Sequence, residues 1–189
     1  MYRVVLVDDE PITRLELSRA LAELDYEVAG EAADGFDAVE LCKKVKPDIV
    51  LMDVKMPIFD GLTACRTITG QGLAGCVVML TAYSDPETIN GAKEAGASGY
   101  LVKPVDERLI RPTIEVAFEQ SRRLAESRSE TEAMAEKLEN FKLIEQAKGI
   151  LASKEGISET EAYALMRKTA MNKRISVRIL AKSIIEAER

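Results

Sequence analysis

Five short apolar runs, spaced through the first 120 residues with amphipathic stretches among them, constrain this chain more than any other feature. The runs are Val4–Val7, a weaker Tyr26–Glu31, Ile49–Met52, Val77–Leu80 and Gly99–Val102. Runs so rich in Val, Ile and Leu suit parallel strands buried on both faces. Glu16–Leu24 and Ala38–Val45 place apolar residues at helical spacing. Strands alternating with crossover helices predict an α/β fold built on a five-stranded, doubly wound parallel sheet.

The ends of the runs carry the chemistry. The first ends in Asp8-Asp9, the third in Asp53, the fourth in Thr81 and the fifth in Lys103-Pro104. In a parallel sheet these ends share one edge, where such folds bind ligands. Three carboxylates, a hydroxyl and an ammonium group are therefore expected together although they lie far apart in the chain. Carboxylates that close repel unless a cation sits among them, and a hard divalent ion with oxygen ligands is the natural partner. An aspartate can accept a phosphoryl group covalently, and a lysine and a hydroxyl can orient and neutralise its oxygens. Any one of these residues alone would read as an ordinary loop side chain; the joint pattern at four strand ends does not.

These residues resemble the receiver domains of bacterial two-component systems. The resemblance is carried by Val-Asp-Asp-Glu at 7–10, Met-Asp-Val-Lys-Met-Pro at 52–57, Asp60-Gly61, Thr81-Ala82 and Lys103-Pro104. It implies a flavodoxin-like receiver over residues 1–120 in which a sensor histidine kinase phosphorylates Asp53. It further implies that Asp8, Asp9 and Asp53 hold Mg²⁺ with the Lys55 backbone carbonyl, and that Thr81 and Lys103 contact the phosphoryl group. Tyr100 occupies the position of an aromatic that moves inward after phosphorylation in that family; the lesser reading is a half-buried strand tyrosine with no switching role. The Lys103–Pro104 peptide is expected to be cis.

The rear of the chain is different. From about Glu115 to Leu151 there is no proline, and Gly149 is the only glycine. Ala117, Leu124, Thr131 and Leu138 recur every seven residues, with Met134 and Phe141 between. This predicts a long coiled-coil-type helix with an imperfect seam, serving as a parallel dimerisation coil or as a solvated connector with one packed face. Gly156 is a plausible stop for it. Ser158-Glu159-Thr160-Glu161 fits a capping box, followed by a stripe of Ala162, Leu165, Met166, Thr169 and Ala170. Ser176 is positioned to cap a third helix carrying Val177, Leu180, Ala181 and Ile184. A small all-α three-helix domain is expected over residues 142–189, with 121–141 as the coiled-coil linker.

Charge separates the two halves. Residues 1–120 carry 12 Lys and Arg against 21 Asp and Glu, and residues 121–189 carry 14 against 11. Between Ala162 and Ile185 stand Arg167, Lys168, Lys173, Arg174, Arg178 and Lys182, with no acid. Most charge runs are solvated helix faces, but so one-sided a stretch in an acidic protein points to nucleic acid. Charge alone leaves DNA and RNA open, and the segment Met171–Ile175 would pass for the turn of a helix-turn-helix.

A second resemblance narrows this. Ala147-Lys148-Gly149-Ile150-Leu151, Glu161-Ala162-Tyr163, Leu165-Met166-Arg167 and Ala170-Met171-Asn172-Lys173-Arg174 resemble the ANTAR domain, an RNA-binding antitermination module. The order receiver, coil, ANTAR is most similar to the ethanolamine-utilisation type of antitermination regulator. The resemblance implies a transcription antiterminator whose phosphorylated homodimers bind paired hairpins in leader RNA. Lys148, Arg167, Lys168, Lys173 and Arg174 would then lie near phosphates or loop bases. Tyr163 either stacks on a base or packs the helical core, and its place beside Ala162 favours the core. Gly149 would permit close helix packing or close approach of RNA. The rival readings are a DNA-binding transcription factor and a protein-interaction adaptor.

Other classes recede. The chain has no histidine, so His-based catalysis and His metal sites are excluded, and the tail offers no enzyme site. Cys42, Cys65 and Cys76 have neither disulfide nor zinc spacing and read as small buried residues in a reducing cytoplasm. No signal peptide fits the N-terminus and no apolar run approaches a membrane span, so a cytoplasmic protein without membrane contact is expected.

Overall fold

The computed structural model describes residues 1–82 and 86–188. The chain forms two compact units, Met1–Ala125 and Glu126–Arg189. The first holds five parallel strands in the order β2-β1-β3-β4-β5: β1 (Arg3–Val7), β2 (Glu27–Ala32), β3 (Ile49–Asp53), β4 (Cys76–Thr81) and β5 (Gly99–Val102). The helices are α1 (Pro11–Glu23), α2 (Gly35–Val45), α3 (Gly61–Gly70), α4 (Pro86–Glu94) and α5 (Glu107–Glu155).

Alternation along each strand sorts the helices onto two faces. Val5, Val7, Val50, Met52, Val77 and Met79 pack against Ala38 and Cys42 of α2, Ala64 and Ile68 of α3, and Ala92 of α4. Their neighbours Val4, Leu6, Ile49, Leu51, Val78 and Leu80 pack against Leu17 and Leu21 of α1 and Ile110, Ile114 and Ala117 of α5. Both faces are covered, which is why the strands read as continuous apolar runs rather than alternating ones. The three cysteines are buried within these layers, and burial pushes each thiol up to about 12.

The long helix begins earlier than expected. It starts at Glu107 rather than near Glu115 and includes Pro112, so the last helix of the sheet unit and the coil are one 49-residue element. Pro112 lies in the second turn, where it forfeits one backbone bond. Ile110, Ile114 and Ala117, buried against the sheet, hold that turn in place. The helix ends before Gly156, whose φ of +64° supplies the left-handed stop.

In the second unit α6 (Glu159–Lys173) and α7 (Val177–Ala187) follow. The expected capping box at Ser158 and Glu161 is present on both sides, and Ser176 caps α7 through the Ile179 amide. Ala147, Met166 and Ala181 form the buried centre, with Leu143, Ile144 and Leu151 of α5 and Val177, Leu180 and Ile184 of α7 packed around it. One expectation fails here: Tyr163 is 39% exposed, and Leu165 is exposed as well. The buried row of α6 is Ala162, Met166 and Ala170, spaced by four; residues 163 and 165 lie roughly 100° from its members around the helix. Gly149 has open space where a Cβ would stand, so no packing within the chain requires a glycine there. No helix among the described residues is long and apolar enough to cross a membrane.

Candidate functional site

Parallel topology delivers the strand ends to one edge, and the geometry there is tight. One carboxylate oxygen each from Asp8, Asp9 and Asp53 lie within 4.8 Å of one another. Asp8 is only 1% exposed and Asp53 is also buried, while Asp9 is open to solvent. Lys103 reaches across from the end of β5, its Nζ 2.6 Å from Asp8 Oδ2 and 2.6 Å from Asp53 Oδ2. Burial works to lower the Lys103 pKa, but hydrogen bonding and the charges of Asp53 and Asp8 outweigh it and hold the ammonium above its usual range. The Lys103 amide donates to the Thr81 carbonyl at 2.8 Å, so the β4–β5 ladder sets the lysine beside the buried threonine. The Lys103–Pro104 peptide is cis.

Local chemistry fixes each carboxylate. Asp8 Oδ1 accepts from the Glu10 amide at 3.0 Å, and Asp53 Oδ1 accepts from the Lys55 amide at 3.3 Å. Arg14 donates to the Asp8 carbonyl at 2.6 Å and pairs with Glu31 at 3.1 Å, pinning the turn that carries Asp8. No local motif marks this arginine, because its role depends on Glu31, which β2 brings beside it. The Asp60-Gly61 pair has two local reasons. Asp60 caps α3 through the Thr63 amide at 2.9 Å. A Cβ at Gly61 would stand 1.8 Å from the Asp53 carbonyl oxygen, so only glycine lets the start of α3 pass so close to β3.

The donor set fits a hard divalent cation. Asp8 Oδ2 is shut off from solvent and lies 2.6 Å from the Lys103 ammonium, which it shares with Asp53 Oδ2. Three clustered carboxylates thus face a single ammonium, and a cation among them would offset the remaining negative charge. Tyr100 sits on β5 opposite Met79 and is 44% exposed. In the loop between β3 and α3, Ile58 takes a left-handed backbone, φ +70°.

The second unit holds the basic residues. Lys148 is drawn into two ion pairs, 2.8 Å to Glu145 and 3.1 Å to Glu159, and its side chain is 16% exposed. Arg178 pairs with Glu136 at 2.7 Å and lies 3.7 Å from Glu139. Arg167, Lys168, Lys173 and Arg174 are exposed along the second half of α6 and its C-cap. Arg167 and Lys168 line a shallow depression of about 330 Å³ with Ala164, Met171 and Asn172.

Comparison with known proteins agrees with this division. Residues 4–115 match the response regulator receiver domain, and residues 132–185 match the ANTAR domain. The chain is 40% identical over 184 residues to the transcriptional regulatory protein PdtaR of Mycobacterium tuberculosis, covering 97% of this chain and 89% of that one. It is 38% identical over 112 residues to the chemotaxis protein CheY of Halobacterium salinarum, covering 59% of this chain and 92% of the relative. Among solved structures, the signal receiver domain of NarL from Mycobacterium tuberculosis matches with a TM-score of 0.57 at 32% identity, over 61% of this chain and 95% of that one. A chain of the CheX–CheY–BeF3–Mg²⁺ complex from Borrelia burgdorferi matches with a TM-score of 0.58 at 28% identity, over 62% of this chain and 89% of that one.

Proposed function

Because the chain belongs to the response regulators, with a receiver domain followed by an ANTAR domain, we propose that it is a phosphorylation-activated antiterminator that binds hairpins in nascent leader RNA. The observation that carries this reading is the pairing of two chemistries in one chain. A buried Asp53 sits with Asp8, Asp9 and Lys103 at the sheet edge of the first unit, and the second unit carries an acid-free run of cations, most of them exposed.

In this reading the phosphodonor is a phosphohistidine of a sensor histidine kinase, since the chain has no histidine of its own. A carboxylate oxygen of Asp53 attacks phosphorus, the P–O bond forms, and the P–N bond breaks with its electron pair leaving on the imidazole. Asp8, Asp9 and Asp53 would hold Mg²⁺, with the Lys55 backbone carbonyl as a further ligand. Bound there, the ion offsets the charge of the carboxylates and of the incoming phosphoryl oxygens. The CheX–CheY complex, solved with BeF3 and Mg²⁺, supports that choice of metal. Lys103, already paired to Asp53, remains within reach of the new oxygens, and the Thr81 hydroxyl accompanies it. Phosphorylation adds about −1.5 to −2 charges at Asp53. Thr81 and Lys103 are drawn toward them, and Tyr100 moves inward from its exposed position on β5.

Output requires two copies. Leu124, Met134, Leu138 and Phe141 are exposed along α5, an apolar seam that a second α5 would cover. A homodimer carries two ANTAR modules, and two adjacent hairpins engage both, which raises affinity without new contacts. Ethanolamine-utilisation control is the finer version of this reading and is supported only by the shared order of receiver, coil and ANTAR domain.

The test is a titration of the full chain, with Mg²⁺ and a small-molecule phosphodonor, against leader RNA bearing two adjacent hairpins and against duplex DNA of equal charge. Preference for the RNA is expected. Preference for duplex would favour a DNA-binding transcription factor, and salt-insensitive indifference to both would favour a protein-interaction adaptor.

A further inference from the structure

The basic residues of the second unit fall into two groups by their ion pairs. Lys148 holds Glu145 on its own helix and Glu159 at the start of α6, so it ties α5 to α6. Arg178 on α7 holds Glu136 and lies near Glu139, so it ties α7 to α5. Each already has two carboxylates beside it. A phosphate brought there would meet those carboxylates, and a cation already neutralised by them displaces few counterions from the nucleic acid.

Arg167, Lys168, Lys173 and Arg174 differ. They are exposed and have no ion pair among the described residues. On α6, Ala164, Arg167, Lys168 and Met171 follow the i, i+3, i+4, i+7 spacing of one face, opposite the buried row of Ala162, Met166 and Ala170. Together with Asn172 they line the shallow depression of about 330 Å³. Ala164 leaves its floor open. Met171, 73% exposed, offers a flexible apolar wall, and the Asn172 amide offers a donor and an acceptor. Cations, an apolar wall and one amide suit a splayed base with its flanking phosphates. A paired duplex presents its bases stacked and would leave the depression unfilled.

Resting on the ANTAR reading above, we propose that this outward face of α6 is the RNA-contacting surface and seats an unstacked loop base. Arg167 and Lys168 take the flanking phosphates, Met171 and Asn172 take the base, and Lys148 and Arg178 brace the module without touching RNA.

Salt dependence separates the two groups. Binding of the full-length phosphorylated protein to two-hairpin leader RNA is measured by fluorescence anisotropy across a range of salt, alongside thermal unfolding. Replacing Arg167 and Lys168 together by Ala should weaken binding roughly tenfold or more and reduce the salt slope by about 1.4, at about 0.7 per single-strand phosphate contact. The unfolding midpoint should stay unchanged. Met171→Ala should weaken binding with the slope intact. Lys148→Met and Arg178→Met, which keep an apolar stem, should lower the unfolding midpoint and leave the slope unchanged. A slope lost in Lys148→Met or Arg178→Met but kept in the Arg167/Lys168 variant would overturn the assignment. Wild type that binds duplex DNA through Arg167 and Lys168 would overturn the choice of RNA. Wild type that binds no nucleic acid would overturn the functional reading along with it.

Discussion

Ile58 stands five positions after the phosphoacceptor candidate, 97% exposed, with its backbone at φ +70°. A β-branched side chain in the left-handed region is strained by roughly 1–2 kcal/mol, and this one has no burial to offset the cost. Ile58→Gly should therefore stabilise the receiver by up to about 1 kcal/mol after the entropy of the new glycine is counted. Urea unfolding measures this, and a midpoint that falls would show that Ile58 makes contacts its exposure hides. At this scale the candidate site was legible because strand ends in a parallel sheet share an edge whatever the loops do. Asp8, Asp9, Asp53 and Lys103 needed only the strands to be found. Arg14, Lys148 and Tyr163 were not legible in the same way. Arg14 and Lys148 are defined by carboxylates on other elements, Glu31 and Glu159, whose approach no local pattern encodes. Tyr163 misled because its neighbour Ala162 is buried, and adjacent residues on a helix face different ways.

Caps and stops were readable wherever the signal was local. The Ser158–Glu161 box, the Ser176 cap and the Gly156 stop all follow from three or four adjacent residues. The start of α5 was not, because Pro112 suggests a break that buried Ile110 and Ile114 override. The continuous helix gives the seam its importance. Leu138 lies in the run from Arg122 to Glu139 in which every residue is exposed, so its side chain contributes little to the single chain. Leu138→Asp should leave the circular-dichroism spectrum of the chain unchanged and weaken self-association of the phosphorylated protein at least tenfold. Sedimentation velocity reads this, and an undiminished dimer would move the interface off α5.

Across the whole molecule, charge and connectivity divide the work. The first 120 residues carry 21 acidic against 12 basic side chains, the remainder 11 against 14, and one helix runs from residue 107 to residue 155 through the boundary between the two units. The proposed phosphoacceptor, Asp53, lies in the first unit, and the exposed cations of α6 lie in the second. The coupling between them is the central claim: charge added at Asp53 favours pairing, and pairing brings two basic modules to two hairpins. The measurement that tests it most directly is the affinity of wild type and of Asp53→Asn for two-hairpin leader RNA, each with Mg²⁺ and with or without a small-molecule phosphodonor. Wild-type binding should tighten at least tenfold when the phosphodonor is present, while Asp53→Asn should not respond. An equal gain in Asp53→Asn, or no gain in wild type whose phosphorylation is verified by mass, would contradict the account.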